Sequence, residues 1–158
     1  MKVTIGAFLV VMTFTLLEYF QGGVITHYFL ADDDLPGFSN WWGLLTVPAL
    51  AYLVSHLRRK EDPRSTITRF VIALVFGATI STLWVLGLER ILPFLMLSPL
   101  FLSLFIRIHR GEILLGFVIG MIYAFGGVLP IIIGSVLMTA CFIVNKLVQL
   151  IRGLIVSK

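Results

Sequence analysis

An all-α bundle of six transmembrane helices, a polytopic integral membrane protein, is the fold this sequence predicts, and three observations carry the reading. The chain of 158 residues is 59% hydrophobic and only 13% charged, too little charge to cover the surface of a soluble domain of that size. Apolar runs divide it, several near or above the roughly 18–20 residues that cross a hydrocarbon core of about 30 Å. The basic residues collect in the connections that would share one side. This length leaves no room for a soluble domain, so residues 1–158 are expected to form a single transmembrane domain.

The predicted spans cover about residues 3–30, 39–57, 67–88, 91–108, 113–126 and 130–152. The first carries Glu18 and Gln21 within its apolar run, and the Gly22-Gly23 pair leaves a re-entrant segment open as the alternative to a continuous helix. The second follows an acidic loop and ends at Arg58-Arg59-Lys60-Glu61-Asp62-Pro63, where proline stops it. Ser65 and Thr66 are the expected caps of the third. Pro93 and Pro99 in the fourth predict a kink or a broken helix, since each removes a backbone donor. The fifth and sixth meet at Gly126-Gly127. Small residues recur every four positions at Ala73, Gly77 and Ser81 and at Gly116, Gly120 and Ala124, the spacing that lets helix backbones approach closely in lipid.

With six spans, eleven of the twelve lysines and arginines fall on one side and only Arg90 falls opposite. Basic residues remain where insertion leaves them, so that side is expected to be cytoplasmic, with both termini inside and the acidic loop 31–38 outside, in a bacterial inner (plasma) membrane. The net charge of +4 then reports topology and an attraction to anionic headgroups. A nucleic-acid partner is not expected, because a basic face with interleaved aromatics is missing. Cys141 is the sole cysteine, so an intrachain disulfide and a zinc-type cysteine pair are both excluded. Phe29-Leu30-Ala31 makes a poor signal-peptidase site, and the first apolar run is expected to be retained as a span.

The unusual chemistry gathers between His27 and Gly43. Glu18 lies in an apolar helix, where a carboxylate costs on the order of 2.5–3.5 kcal/mol on insertion scales and therefore needs water, protein or a proton. His27, Ser39 and Asn40 flank the acidic run Asp32-Asp33-Asp34, and Trp41-Trp42 has the placement of an aromatic belt or of a pocket rim. Glu89 and Arg90 form the other charged pair on that side, and the simplest partner for Arg90 is Glu18, Glu89 or the aspartates. Ser39 or Asn40 is the expected cap of the second span. His27 with Asp32, Asp33 and Asp34 offers nitrogen and oxygen ligands of the kind a divalent metal takes. Neither a zincin motif nor a phosphate-binding glycine loop occurs, and Gly37-Phe38-Ser39-Asn40 is only half of a nucleophile elbow.

The expectation is a small membrane protein with an outward-facing, aromatic-rimmed pocket that binds a small or lipid-like ligand through Glu18, His27, Ser39, Asn40, Trp41, Trp42, Glu89 and Arg90. Two alternatives remain open at this point: a membrane-embedded lipid hydrolase or transferase, with His27 and an aspartate as base or as metal ligands, and a transporter or channel subunit. The lipid bilayer is the expected partner, with assembly into a homo-oligomer open.

Overall fold

The computed structural model describes residues 1–28, 34, 37–57, 62–106 and 108–156. The chain is 82% helical, with α-helices α1 (Lys2–Phe20), α2 (Gly43–His56), α3 (Pro63–Val85), α4 (Leu92–Ser103), α5 (Gly111–Phe125) and α6 (Val128–Val156). Three of them, α1, α3 and α6, are long and apolar enough to cross a membrane. At about 1.5 Å per residue, α2, α4 and α5, of 14, 12 and 15 residues, are shorter than a hydrocarbon core. Turns of 3₁₀ helix precede α2 at Asn40–Trp42 and α4 at Glu89–Ile91.

The first helix is shorter than expected. It stops at Phe20, and Gly22 and Gly23, at φ +130° and +125°, carry the chain through a turn that side-chain-bearing residues rarely adopt. From Thr26 to Tyr28 the chain is extended, not helical. Strand β1 (Thr26–Tyr28) pairs antiparallel with β2 (Gly37–Ser39), with His27 opposite Phe38. Three-residue strands are too brief for a period of two to show in the sequence.

Two further corrections concern helix ends. Asp62, rather than Ser65 or Thr66, caps α3: its carboxylate accepts from the Ser65 N–H at 3.3 Å, and Pro63 occupies the first turn, where a missing N–H matters least. The hydroxyls of Ser65 and Thr66 instead donate to the Asp62 carbonyl. In α4, Pro93 also falls in the first turn, and the helix runs unbroken through Pro99 to Ser103.

Large apolar side chains face the surroundings as well as the core. Ala7, Val11, Val47, Ala51 and Val118 form one core and Ala73, Ile80, Phe117 and Met121 another, whereas Phe94, Phe101 and Phe105 are each more than two-thirds exposed. So many large apolar side chains left outside suit helices held together by close fit within an apolar solvent. The tightest fit is between α3 and α5. A Cβ placed on Gly77 would stand 2.5 Å from the Phe117 carbonyl oxygen and 3.2 Å from the Gly120 Cα, and Ser81 Oγ donates to the Gly120 carbonyl at 3.1 Å. The two small-residue stripes are one contact seam.

The connections sort to two ends. The hairpin, the C-terminal ends of α3 and α5 (Trp84 against Phe125, ring centroids 5.1 Å apart) and the turn at Gly126-Gly127 share one end. The start of α1, the end of α2 and the starts of α3 and α5 share the other, where Val3, Val54, Thr66 and Glu112 surround one cavity.

Candidate functional site

On α1 the buried positions Ala7, Val11 and Thr15 recur every four residues, and Glu18, three further on, continues that stripe into the last turn. The turn folds back on it: the Glu18 carbonyl accepts from the N–H groups of Gln21 and Gly23 at 3.0 and 3.1 Å. Its carboxylate Oε2 accepts from the Ile25 N–H at 3.3 Å, at the foot of the hairpin.

Asn40 closes the arrangement. It leaves β2 and opens the 3₁₀ turn before α2, its N–H donates to the Ile25 carbonyl at 3.1 Å, and it is 6% exposed. Its side-chain nitrogen donates to Glu18 Oε1 at 2.6 Å and lies 3.4 Å from His27 Nε2. A carboxylate only accepts, so it is the NH₂ group of Asn40, and not its oxygen, that faces Glu18. The second hydrogen of that group is then directed by its bond to His27, whose Nε2 must keep its lone pair and whose proton must sit on Nδ1. Burial pushes the His27 imidazolium to a lower pKa than usual, which favours the neutral ring the geometry calls for.

The turn between α5 and α6 forms the wall behind this cluster. Gly126, at φ +68°, comes so close to the Asn40 carboxamide oxygen that any Cβ there would overlap it, and that Cβ would also stand 3.0 Å from His27 Cδ2. Next to it, a Cβ on Gly127 would stand 2.6 Å from the Gly43 Cα. The wall was not foreseen from sequence, although the adjacent glycines are a turn signal; only the fold shows which backbone they admit.

Of the residues expected at the site, Glu18, His27 and Asn40 come together. Glu18 and His27 remain half-buried, and Trp41 and Trp42, adjoining Asn40 in the chain, are 55% and 59% exposed. Ser39 is half-buried in the hairpin opposite Thr26, and it precedes the 3₁₀ turn without a side-chain capping bond. The Asn40 amide, committed to Glu18 and His27, does not cap either. Glu89 and Arg90 are exposed on the turn between α3 and α4, and Arg90 makes no ion pair with Glu18. The Glu18 carboxylate accepts from Asn40 and Ile25 instead. Asp34 is exposed, and Asp32 and Asp33 lie outside the described residues. Among the described residues no group of three or more histidine, cysteine, aspartate or glutamate side chains converges.

No protein family, curated protein or solved structure matches this chain.

A second set of polar residues, not singled out by the sequence, lies at the opposite end. Arg69 Nη1 on α3 is 3.1 Å from Glu112 Oε1 on α5, and Arg110 Nη1 is 4.0 Å from the same oxygen. The Ser103 carbonyl at the end of α4 accepts from Asn145 Nδ2 at 2.8 Å, and Gln149 Nε2 donates to Asn145 Oδ1 at 2.7 Å.

Proposed function

We propose that the protein is a small polytopic membrane protein that presents the Glu18–Asn40–His27 cluster, on the outer side of a bacterial inner membrane, to a small or lipid-like ligand. All six helices cross the bilayer in this reading. The 3₁₀ turns add about 6 Å each to α2 and α4, and a chain can meet a short span by local thinning of the bilayer. The termini are cytoplasmic, in keeping with eleven of twelve basic residues on their side.

The observation that carries the reading is the division of labour around Asn40. The amide is buried and fully directed, while its two partners, a carboxylate and a neutral imidazole, stay half-buried and able to meet a ligand. Trp41 and Trp42 supply an apolar rim with indole donors where headgroups begin. Ser39, Glu89 and Arg90 would complete the polar border, Arg90 being the group suited to a carboxylate or phosphate.

The test is mass spectrometry of small molecules extracted from the purified protein, compared between wild type and His27→Ala and Glu18→Gln variants of matched thermal stability. A species retained by the wild type and lost from both variants supports the proposal. Its retention by both, or the absence of any bound species, would sink it. Sidedness is tested separately: with Cys141→Ser as background, a cysteine at Asp34 should react with an impermeant maleimide in intact cells, and one at Ser65 should not.

A further inference from the structure

A cavity of about 350 Å³ forms a groove walled by α3, α4, α5 and α6 in the half of the bundle away from the hairpin. That volume is at the lower end of the range for small-molecule sites, about 300–1,000 Å³. Its wall is hydrocarbon: Phe76, Pro99, Leu102, Phe117 and Met138 line it, and the one hydroxyl that faces it, Ser98 Oγ, donates to the Leu95 carbonyl at 2.7 Å. The exception is at one end, where Arg69 joins the lining. From Arg69 to Phe76 the groove follows α3 for about 10 Å at the helical rise.

We infer that this groove holds one acyl chain of an anionic glycerophospholipid, with the lipid phosphate at Arg69. Charge selects the occupant. In sequence, the stretches 57–69 and 104–112 that lead into α3 and α5 contain seven basic and three acidic residues, a surplus that stands whatever pairs form within it. Arg69 is a planar donor suited to phosphate oxygens and remains partly exposed beside Glu112, at 31% of its side chain. A basic residue at the mouth of an apolar cleft between helices, on the side where basic residues collect, matches an anionic lipid of that leaflet. A zwitterionic lipid fits the hydrocarbon wall equally well and lacks the net charge. The inference rests on the chain being embedded in a membrane. It is independent of a ligand at Glu18 and His27, which lie at the other end.

The test uses the full-length protein in a mild non-ionic detergent, titrated with phosphatidylglycerol and with phosphatidylcholine of the same acyl chains and observed by native mass spectrometry. One phosphatidylglycerol per chain should be retained, in preference to phosphatidylcholine by about tenfold. Leu102→Trp, which fills the groove from a half-exposed position, should lower retention of both lipids. Arg69→Gln should abolish the preference and leave phosphatidylcholine retention unchanged; Arg69→Gln with Glu112→Gln does the same without leaving a carboxylate unpaired. Equal retention of the two lipids by the wild type would overturn the inference, as would retention unaffected by Leu102→Trp. A dimeric wild type that Leu102→Trp converts to a monomer would assign the groove to a second copy of the chain, and would overturn it too.

Discussion

Asn40 hydrogen-bonds Glu18 at 2.6 Å across 22 positions of sequence, joining the end of the first helix to the start of the second. Through that amide the hairpin is tied down at both feet, since Asn40 also bonds the Ile25 carbonyl and Glu18 the Ile25 N–H. Removing it should be felt at both elements. Asn40→Ala deprives a half-buried carboxylate of its shortest bond, and unfolding in detergent should show a loss of about 1–3 kcal/mol. Asn40→Asp, which sets carboxylate against carboxylate, should lose more.

Gly126 and Gly6 should respond to alanine with opposite signs. At Gly126 the positive φ and the overlap with Asn40 act together, and a backbone at φ +68° and ψ −166°, a region almost confined to glycine, alone costs about 1–3 kcal/mol for other residues. Gly6 lies within α1 with nothing around its position, so Gly6→Ala should raise stability by about 0.5–1 kcal/mol. Thermal unfolding of the two variants in one detergent checks both.

Widening the α3–α5 seam is expected to be the most damaging change in the bundle. Gly77→Val would drive a branched side chain against the Phe117 carbonyl and the Gly120 backbone, neither of which can rotate away. The expected outcome is loss of monodisperse protein on size-exclusion chromatography. Thr79→Val, on the exposed face of the same helix, should leave it intact.

Acid should loosen the hairpin end through His27. Its folded pKa is pushed below the ordinary 6.5 by burial, so the unfolded chain binds a proton more readily. The stabilisation is complete above about pH 6.5 and is lost as pH falls through the lowered folded value. Protonation would also place an N–H opposite the Asn40 NH₂ group. Unfolding midpoints should hold steady from pH 8 to about 6.5 and then decline, and His27→Gln should flatten that difference relative to wild type.

Asn145 supplies the donor for the Ser103 carbonyl, which lies at the end of α4 where helical partners run out. Asn145→Leu should cost about 1–3 kcal/mol by leaving that buried acceptor unmade, measured by unfolding titration. Exposed Thr139→Ala on the same helix serves as the control.

The six helical segments were legible because each is an apolar run bounded by charge, proline or glycine, and such boundaries are local. Glu18, His27 and Asn40 could be named as candidates because polar groups stand out in an apolar chain. Their partnership could not, since it depends on a three-residue hairpin register and on where Gly22 and Gly23 turn. The end of α1 was misplaced because a glycine pair weakens a helix without saying what replaces it. Asp62-Pro63 did carry a readable cap signal, masked by the hydroxyls of Ser65 and Thr66.

By itself the sequence determined that this chain is helical and apolar enough for a membrane, because composition and run length depend on each residue alone. The tertiary structure decided the rest: that Gly126 walls the Asn40 cluster, that the two glycine stripes face each other, that Arg90 stands apart from Glu18 and that Arg69 meets Glu112. Those are relations between segments tens of residues apart, and they follow from close packing, which no single stretch of the chain encodes.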